Sequence, residues 1–257
     1  EIISFMLGIP IEHRHKLRQY SLNILGALDP VVSKERLNEG NFSVEEFGEV
    51  LSQIIDHRRS EQASKSDGEI LMSLILGDVN GRRLTNTELI QNCIFLLNAG
   101  HETTTSMVAN SMHMFFSAPD QLNLLKEDPD LITTAIEEGL RYESPLQVGN
   151  RVTTGEVEIG GELLPTGTYI HTSIAGANRD PAEFNKPEEI DITRKPNRHI
   201  AFAMGHHVCL GATLARMEGR IAIGELVKRF PKIQQTGPAI SMGLARFRGF
   251  NNMPVKI

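Results

Sequence analysis

The stretch Phe202-Ala203-Met204-Gly205-His206-His207-Val208-Cys209-Leu210-Gly211 decides how the rest of the chain is read. One cysteine stands in a short loop with Gly205 before it and Gly211 after it, and an amphipathic helical pattern, Ala212 to Phe230, comes directly behind. Glycine admits positive φ and close backbone approach. A helix N-terminus and neighbouring basic groups suit a sulfur anion. The layout presents one thiolate to a large flat partner, whereas a cysteine outside such a setting is ordinarily a small buried hydrophobe.

The 257 residues, 40% hydrophobic and 23% charged, suffice for a sizeable core in one large domain or two small ones. The two cysteines, Cys93 in an apolar helical run and Cys209 in the glycine loop, do not suggest a disulfide framework, and a reducing cytoplasm fits best. A net charge of -6 argues against a chain built to bind nucleic acid, because a basic face would show in the balance. No apolar run reaches membrane-spanning length, and the first residues lack the charged-then-apolar layout of a signal peptide, so no membrane anchor is expected. The chain starts at Glu1, inside an element already under way, which reads as a fragment.

Leu84 to Phe116 is the longest helical run, and Thr85 with Glu88 forms a capping box at its start. Its middle, Ala99-Gly100-His101-Glu102-Thr103-Thr104-Thr105, places glycine and β-branched hydroxyl residues where a stable helix prefers leucine or alanine. A Thr103 hydroxyl bonded back to the Ala99 carbonyl is expected to bend the helix and open a pocket. His101-Glu102 also begins the zinc motif H-E-x-x-H, but position 105 is Thr, so that motif fails.

Helical patterns are also expected over Glu12 to Leu28, Phe42 to Arg59, Glu69 to Leu76 and Leu131 to Tyr142. Pro30 to Asn41 reads as a polar connection where a mobile lid could hinge, Gln62 to Gly68 as a polar linker, and Asp78 to Arg83 as a turn. Glu138 and Arg141 stand three apart on one helix face, close enough to pair. Arg151 to Ile170 reads as a small antiparallel sheet, Gly176 to Pro187 as loop, and Gln234 to Ile257 as a weak β-hairpin.

Three of these features fall in one order. The pattern F-x-x-G-x-H-x-C-x-G resembles the haem-binding loop of the cytochrome P-450 family, A-G-x-E-T-T resembles its oxygen-binding groove, and Glu138 with Arg141 in "EEGLRYESP" resembles its ExxR helix. The resemblance implies a cytochrome P-450 fold, mainly α with small β-sheets and lacking the N-terminal helices, with residues 1–257 as the C-terminal haem-binding part of a single truncated domain. It implies haem b as cofactor and Cys209 as the axial ligand to its iron, donating electron density that favours O–O cleavage. Phe202, Gly205, Gly211, Ala99 and Gly100 would contact the cofactor, with His207 and Arg151, and also His199, as partners for the propionates. Glu102 and Thr103 would relay protons to oxygen on the opposite face. Arg194 matches the second arginine that joins Glu138 and Arg141 in a structural cluster.

The same resemblance implies a monooxygenase that takes O2 and a small apolar organic substrate, lined by Phe95, Leu96, Ala99, Val148 and Phe247. Arg216, Arg220, Lys228 and Arg229 outnumber Glu218 and Glu225 on the helix behind Cys209, which suits an acidic ferredoxin or flavodoxin as electron donor. The chain departs from the pattern at Ala203, where glycine is common, and in the missing N-terminal helices, so these residues alone are expected to bind haem poorly. The rivals are an inactive truncated remnant and a non-haem metal site built from His199, His206, His207 and Cys209, which crowds three ligands into four residues.

Overall fold

The structure is a computed structural model that describes residues 2–60, 70–78 and 80–257. The chain packs as two compact units, Glu1–Thr103 and Thr104–Ile257, and the boundary falls inside one long helix.

The first unit holds α1 (Ile2–Met6), α2 (Arg14–Ala27), α3 (Lys34–Ser60), α4 (Ile70–Leu76) and the opening turns of α5 (Asn86–Ser117). Leu17, Tyr20 and Ile24 of α2 and Phe47, Leu51 and Ile55 of α3 recur at three- and four-residue steps, so each helix buries one stripe in a shared core. The Tyr20 and Phe47 rings stack with centroids 5.4 Å apart. Leu71, Leu89, Cys93 and Leu97 complete the cluster.

Most of the supposed hinge at Pro30 to Asn41 is helix, because α3 starts at Lys34. Gly40 is a packing residue: a methyl group there would collide with the Cβ of Ala27, so the missing side chain lets α3 press against α2. The linker Gln62 to Gly68 and Glu69 lie outside the described residues, as does Val79 in the Asp78 to Arg83 turn, where the Gly81 N–H donates to Asp78 at 2.7 Å.

The capping box is present. The Thr85 N–H donates to Glu88 at 2.9 Å and the Glu88 N–H donates back to the Thr85 hydroxyl at 3.2 Å.

The second unit carries the rest of α5, then α6 (Pro119–Glu127), α7 (Ile132–Tyr142), α8 (Ile174–Ala177) and α9 (Ala212–Arg229). Met107, Phe115, Ile136, Leu140, Ile223 and Val227 share its core. Two glycines set the helix spacing. A Cβ on Gly139 of α7 would stand 2.5 Å from Ser111 Oγ of α5, and one on Gly219 of α9 would stand 2.8 Å from Met107 Cε.

The sheets are small and antiparallel. β1 (Val148–Val152) pairs with β4 (Tyr169–Ser173), and β2 (Val157–Ile159) pairs with β3 (Glu162–Leu164). The expected single sheet is thus two separate ribbons, because the turn at Gly160-Gly161 closes β2 on β3 without joining the outer pair. In the tail β5 (Gln234–Gln235) pairs with β8 (Val255–Lys256), and β6 (Ile240–Ser241) pairs with β7 (Phe250–Asn252).

Candidate functional site

The cysteine loop is built by its backbone. Ala203 and Gly205 have φ of 57° and 65°, and the chain turns tightly over Gly205–His207. The reversal lets the Cys209 N–H donate to the Phe202 carbonyl at 2.8 Å, and the Cys209 carbonyl accepts from Ala212 N–H at 3.2 Å as α9 begins. Cys209 is exposed. Around it Met204, Val208 and Leu210 are exposed too, Leu210 at 94%. His206 and His207 are exposed within the turn. Alanine in the left-handed region costs about 1–2 kcal/mol relative to its usual conformations, so Ala203 stands where glycine fits better.

Glu138 and Arg141 of α7 are fully buried, both side chains at 0% exposure. Nε and Nη2 of Arg141 donate to the two Glu138 oxygens at 2.8 Å each. Its remaining N–H groups reach the carbonyls of Asn178 at 3.1 Å, Pro187 at 2.8 Å and Glu189 at 3.1 Å, so all five donors of the guanidinium are used. Arg194 Nε donates to Glu138 at 3.2 Å, and Asn197 and the Asp191 N–H add to the same carboxylate. Asn178 carries this cluster toward the cysteine loop, its side-chain oxygen accepting the Ile200 N–H at 2.7 Å.

Sequence reasoning missed Glu137. On α7 it points away from Glu138 and accepts from Arg216 Nε and Nη2 at 2.7 and 2.9 Å and from His199 Nε2 at 3.0 Å. Burial pushes its carboxyl upward, but hydrogen bonds and charge from His199 and Arg216 outweigh that and bring it down to about 2. Two assignments change. His199, its side chain 2% exposed, is committed to Glu137 and is not free for a propionate. Arg216 is likewise committed, its guanidinium lying 4.5 Å over the Phe202 ring, so it leaves the docking patch. In that patch Arg229 pairs with Glu225 at 2.8 Å, while Arg220 and Lys228 are exposed beside α6. Adjacent helical residues diverge by about 100°, so a second acid beside an ExxR glutamate needed a partner of its own; that was the available signal.

The non-haem alternative loses its ligand set. Beyond the capture of His199, no group of three or more His, Cys, Asp or Glu side chains among the described residues could hold a metal ion.

On α5 the Thr103 hydroxyl donates to the Ala99 carbonyl at 2.5 Å, as expected, yet the helix runs unbroken from Asn86 to Ser117. A carbonyl has two lone pairs, so the hydroxyl adds to the ladder bond instead of replacing it. Glu102 is buried and shares a hydrogen bond with His101 Nδ1 at 2.8 Å. Ala99 is exposed, and Gly100 faces Ile3, whose Cδ1 would lie 3.1 Å from a Cβ there. Phe95 is 68% exposed and Leu96 packs against the first unit's core. In the second unit Arg151 is exposed on β1 and donates to the Asn150 carbonyl at 2.7 Å. Val148 on β1 and Phe247 are half-buried, and Phe247 bridges to Leu146, two residues before Val148.

A helical protein that lifts one thiol on a glycine loop at the head of a helix, braced by a buried Glu–Arg–Arg cluster, is of the haem-thiolate class. The family model for cytochrome P450 matches residues 28–242, and the chain belongs to that family. It is 38% identical over 232 residues to the biotin biosynthesis cytochrome P450 of Bacillus subtilis (strain 168), covering 90% of this chain and 58% of that protein. The crystal structure of P450BioI in complex with acyl carrier protein ligated to hexadec-9Z-enoic acid matches with a TM-score of 0.93 at 36% identity, over 100% of this chain and 65% of that one. CYP109E1 from Bacillus megaterium in complex with testosterone matches with a TM-score of 0.87 at 29% identity, over 99% and 68%. The chain spans less than two thirds of the length of the curated relatives it matches. Family membership implies a haem cofactor. The residues fit one: an exposed sulfur in a loop that also exposes Met204, Val208 and Leu210 offers a soft ligand and apolar side chains to a flat iron chelate.

Proposed function

We propose that the chain is the C-terminal, haem-bearing portion of a single-domain monooxygenase that inserts one oxygen atom of O2 into a C–H or C=C bond of an apolar organic molecule. The exposed Cys209 on its positive-φ loop at the start of α9 carries this reading. Haem b, when bound, supplies the activation of O2.

The chain's own residues do the rest. Cys209 would hold the haem iron through its sulfur, with Phe202 packed behind the loop and Gly205 and Gly211 keeping the backbone close. His207 and Arg151 are exposed hydrogen-bond donors suited to the propionates. By resemblance Ala99, exposed on α5, would contact the cofactor, whereas Gly100 faces Ile3. Thr103 holds a proton at Oγ1, now directed to the Ala99 carbonyl, and can both donate and accept. Glu102 is the proton carrier behind it, and to act it must exchange its bond with His101 for one to water or to Thr103. By resemblance Phe95, and in the second unit Val148 and Phe247, would contact the substrate, whereas Leu96 is taken up by the first unit's core. Relatives solved with a hexadecenoyl group and with testosterone support an apolar substrate class. Electrons arrive from an acidic ferredoxin or flavodoxin steered by Arg220 and Lys228 in the cytoplasm. Among the described residues no helix is long and apolar enough to cross a membrane.

The test is the absorption spectrum of the full-length parent of this chain, reduced and treated with carbon monoxide. A red-shifted Soret band that disappears in Cys209→Ser is the expected result. A protein that takes up neither iron nor pigment would instead be a catalytically dead remnant, and a shifted band retained in Cys209→Ser would defeat the ligand assignment.

A further inference from the structure

Arg216 has no part in the proposed chemistry, yet it is held on several sides. Its Nε and Nη2 donate to Glu137 at 2.7 and 2.9 Å, and its guanidinium face lies 4.5 Å from the Phe202 ring centroid. Glu137 is held in turn by His199, whose Nδ1 accepts the Ala201 N–H at 3.2 Å, which leaves Nε2 to donate to the carboxylate at 3.0 Å. His199, Ala201 and Phe202 belong to the segment that leads into the cysteine loop, and the Phe202 carbonyl takes the Cys209 N–H at 2.8 Å. Helices α7 and α9 are therefore tied, through one carboxylate and one guanidinium, to the backbone that carries the sulfur. A planar fork that both chelates a carboxylate and stacks on a ring is a geometry lysine cannot reproduce.

We propose that Arg216, aimed by Glu137 and stacked on Phe202, is a positioning residue for Cys209: it fixes the backbone that presents the sulfur and supplies the counter-charge to the Glu137 carboxylate on that side of the site. The proposal rests on the haem-thiolate reading for its electronic half and on the protein alone for its mechanical half. Arg216 is held above its ordinary range, first by its hydrogen bond to Glu137. Without Arg216 the Glu137 carboxylate would stand unbalanced on that side of the site, and an uncompensated negative charge raises the energy of an electron added to the iron.

Arg216→Met, Arg216→Lys and Glu137→Gln separate the two halves. In the protein without haem, amide hydrogen exchange at Cys209 should rise roughly tenfold in Arg216→Met, the equivalent of one lost charged hydrogen bond, and less in the other two. In the haem-loaded protein the reduction potential should fall in Arg216→Met and stay near wild type in Arg216→Lys, which keeps the charge but not the fork. Unchanged exchange together with an unchanged potential in Arg216→Met would overturn the proposal, as would equal drops in potential for Met and Lys. If Arg216→Met does not fold, Glu137→Gln with Arg216→Lys decides by the same exchange measurement. If the full-length parent takes no haem, the haem-thiolate reading fails while exchange at Cys209 still tests the positioning role.

Discussion

Glu138 and Glu137 are neighbours on α7, and they show two ways of using an acid paired with arginine. Glu138 is at 0% exposure inside a closed set of donors from Arg141, Arg194, Asn197 and Asp191. Glu137 is 23% exposed, has two partners, and both lead to the cysteine loop. A closed cluster fixes a fold, because any missing member strands a charge without water. An open one tolerates loss and transmits it to what it touches. The difference is that between a keystone and an adjustable strut.

Breaking the closed cluster should give the largest effect. Arg141→Met leaves the Glu138 carboxylate buried without its main partner, a cost of about 3–5 kcal/mol, read as a lowered urea midpoint of the second unit. Glu137→Gln keeps shape and solvent contact, and should cost about 1–3 kcal/mol by the same measurement. Equal losses in the two variants would erase the distinction drawn between the acids.

Acid should find the open cluster. The Glu137 carboxyl lies at about 2 in the fold against an ordinary 4.5, so its contribution to stability is complete above about pH 4.5 and is lost as pH falls toward 2. Stability measured from pH 6 to pH 2 should therefore fall less steeply in Glu137→Gln than in the wild type. The smallest effect is a gain. Ala203→Gly removes a left-handed alanine beside Phe202 and should stabilise the chain by about 0.5–1 kcal/mol after the added flexibility of glycine in the unfolded state is counted. Thermal unfolding checks it, and a lower midpoint would mean that the alanine methyl packs usefully.

Local signals were the most legible. The Thr85–Glu88 box, the Thr103 hydroxyl bond to Ala99 and the start of α9 at Ala212 depend on residues within four positions of one another, where spacing alone sets geometry. The meeting of Glu138, Arg141 and Arg194 spans 56 positions and came only through resemblance to a family, since nothing in the residue types fixes that partner. Glu137, His199 and Arg216 went unread as a group for the same reason: each was assigned by its own neighbourhood, and their contact exists only once α7 meets α9. Gly40 misled in the opposite direction. Glycine marks both loose turns and tight helix contacts, and only the position of Ala27 tells them apart.

The spacing held by Gly139 and Gly219 has a genetic corollary. Every glycine codon is one base away from an alanine codon, and at these two positions the added methyl would meet Ser111 Oγ at 2.5 Å or Met107 Cε at 2.8 Å. The second clash falls on the flexible end of a methionine, which can swing aside, whereas the first falls on a short side chain whose own Cα lies 3.7 Å away. Spontaneous mutation should therefore be purged more strictly at codon 139 than at codon 219, although the latter lies nearer the sulfur along the gene.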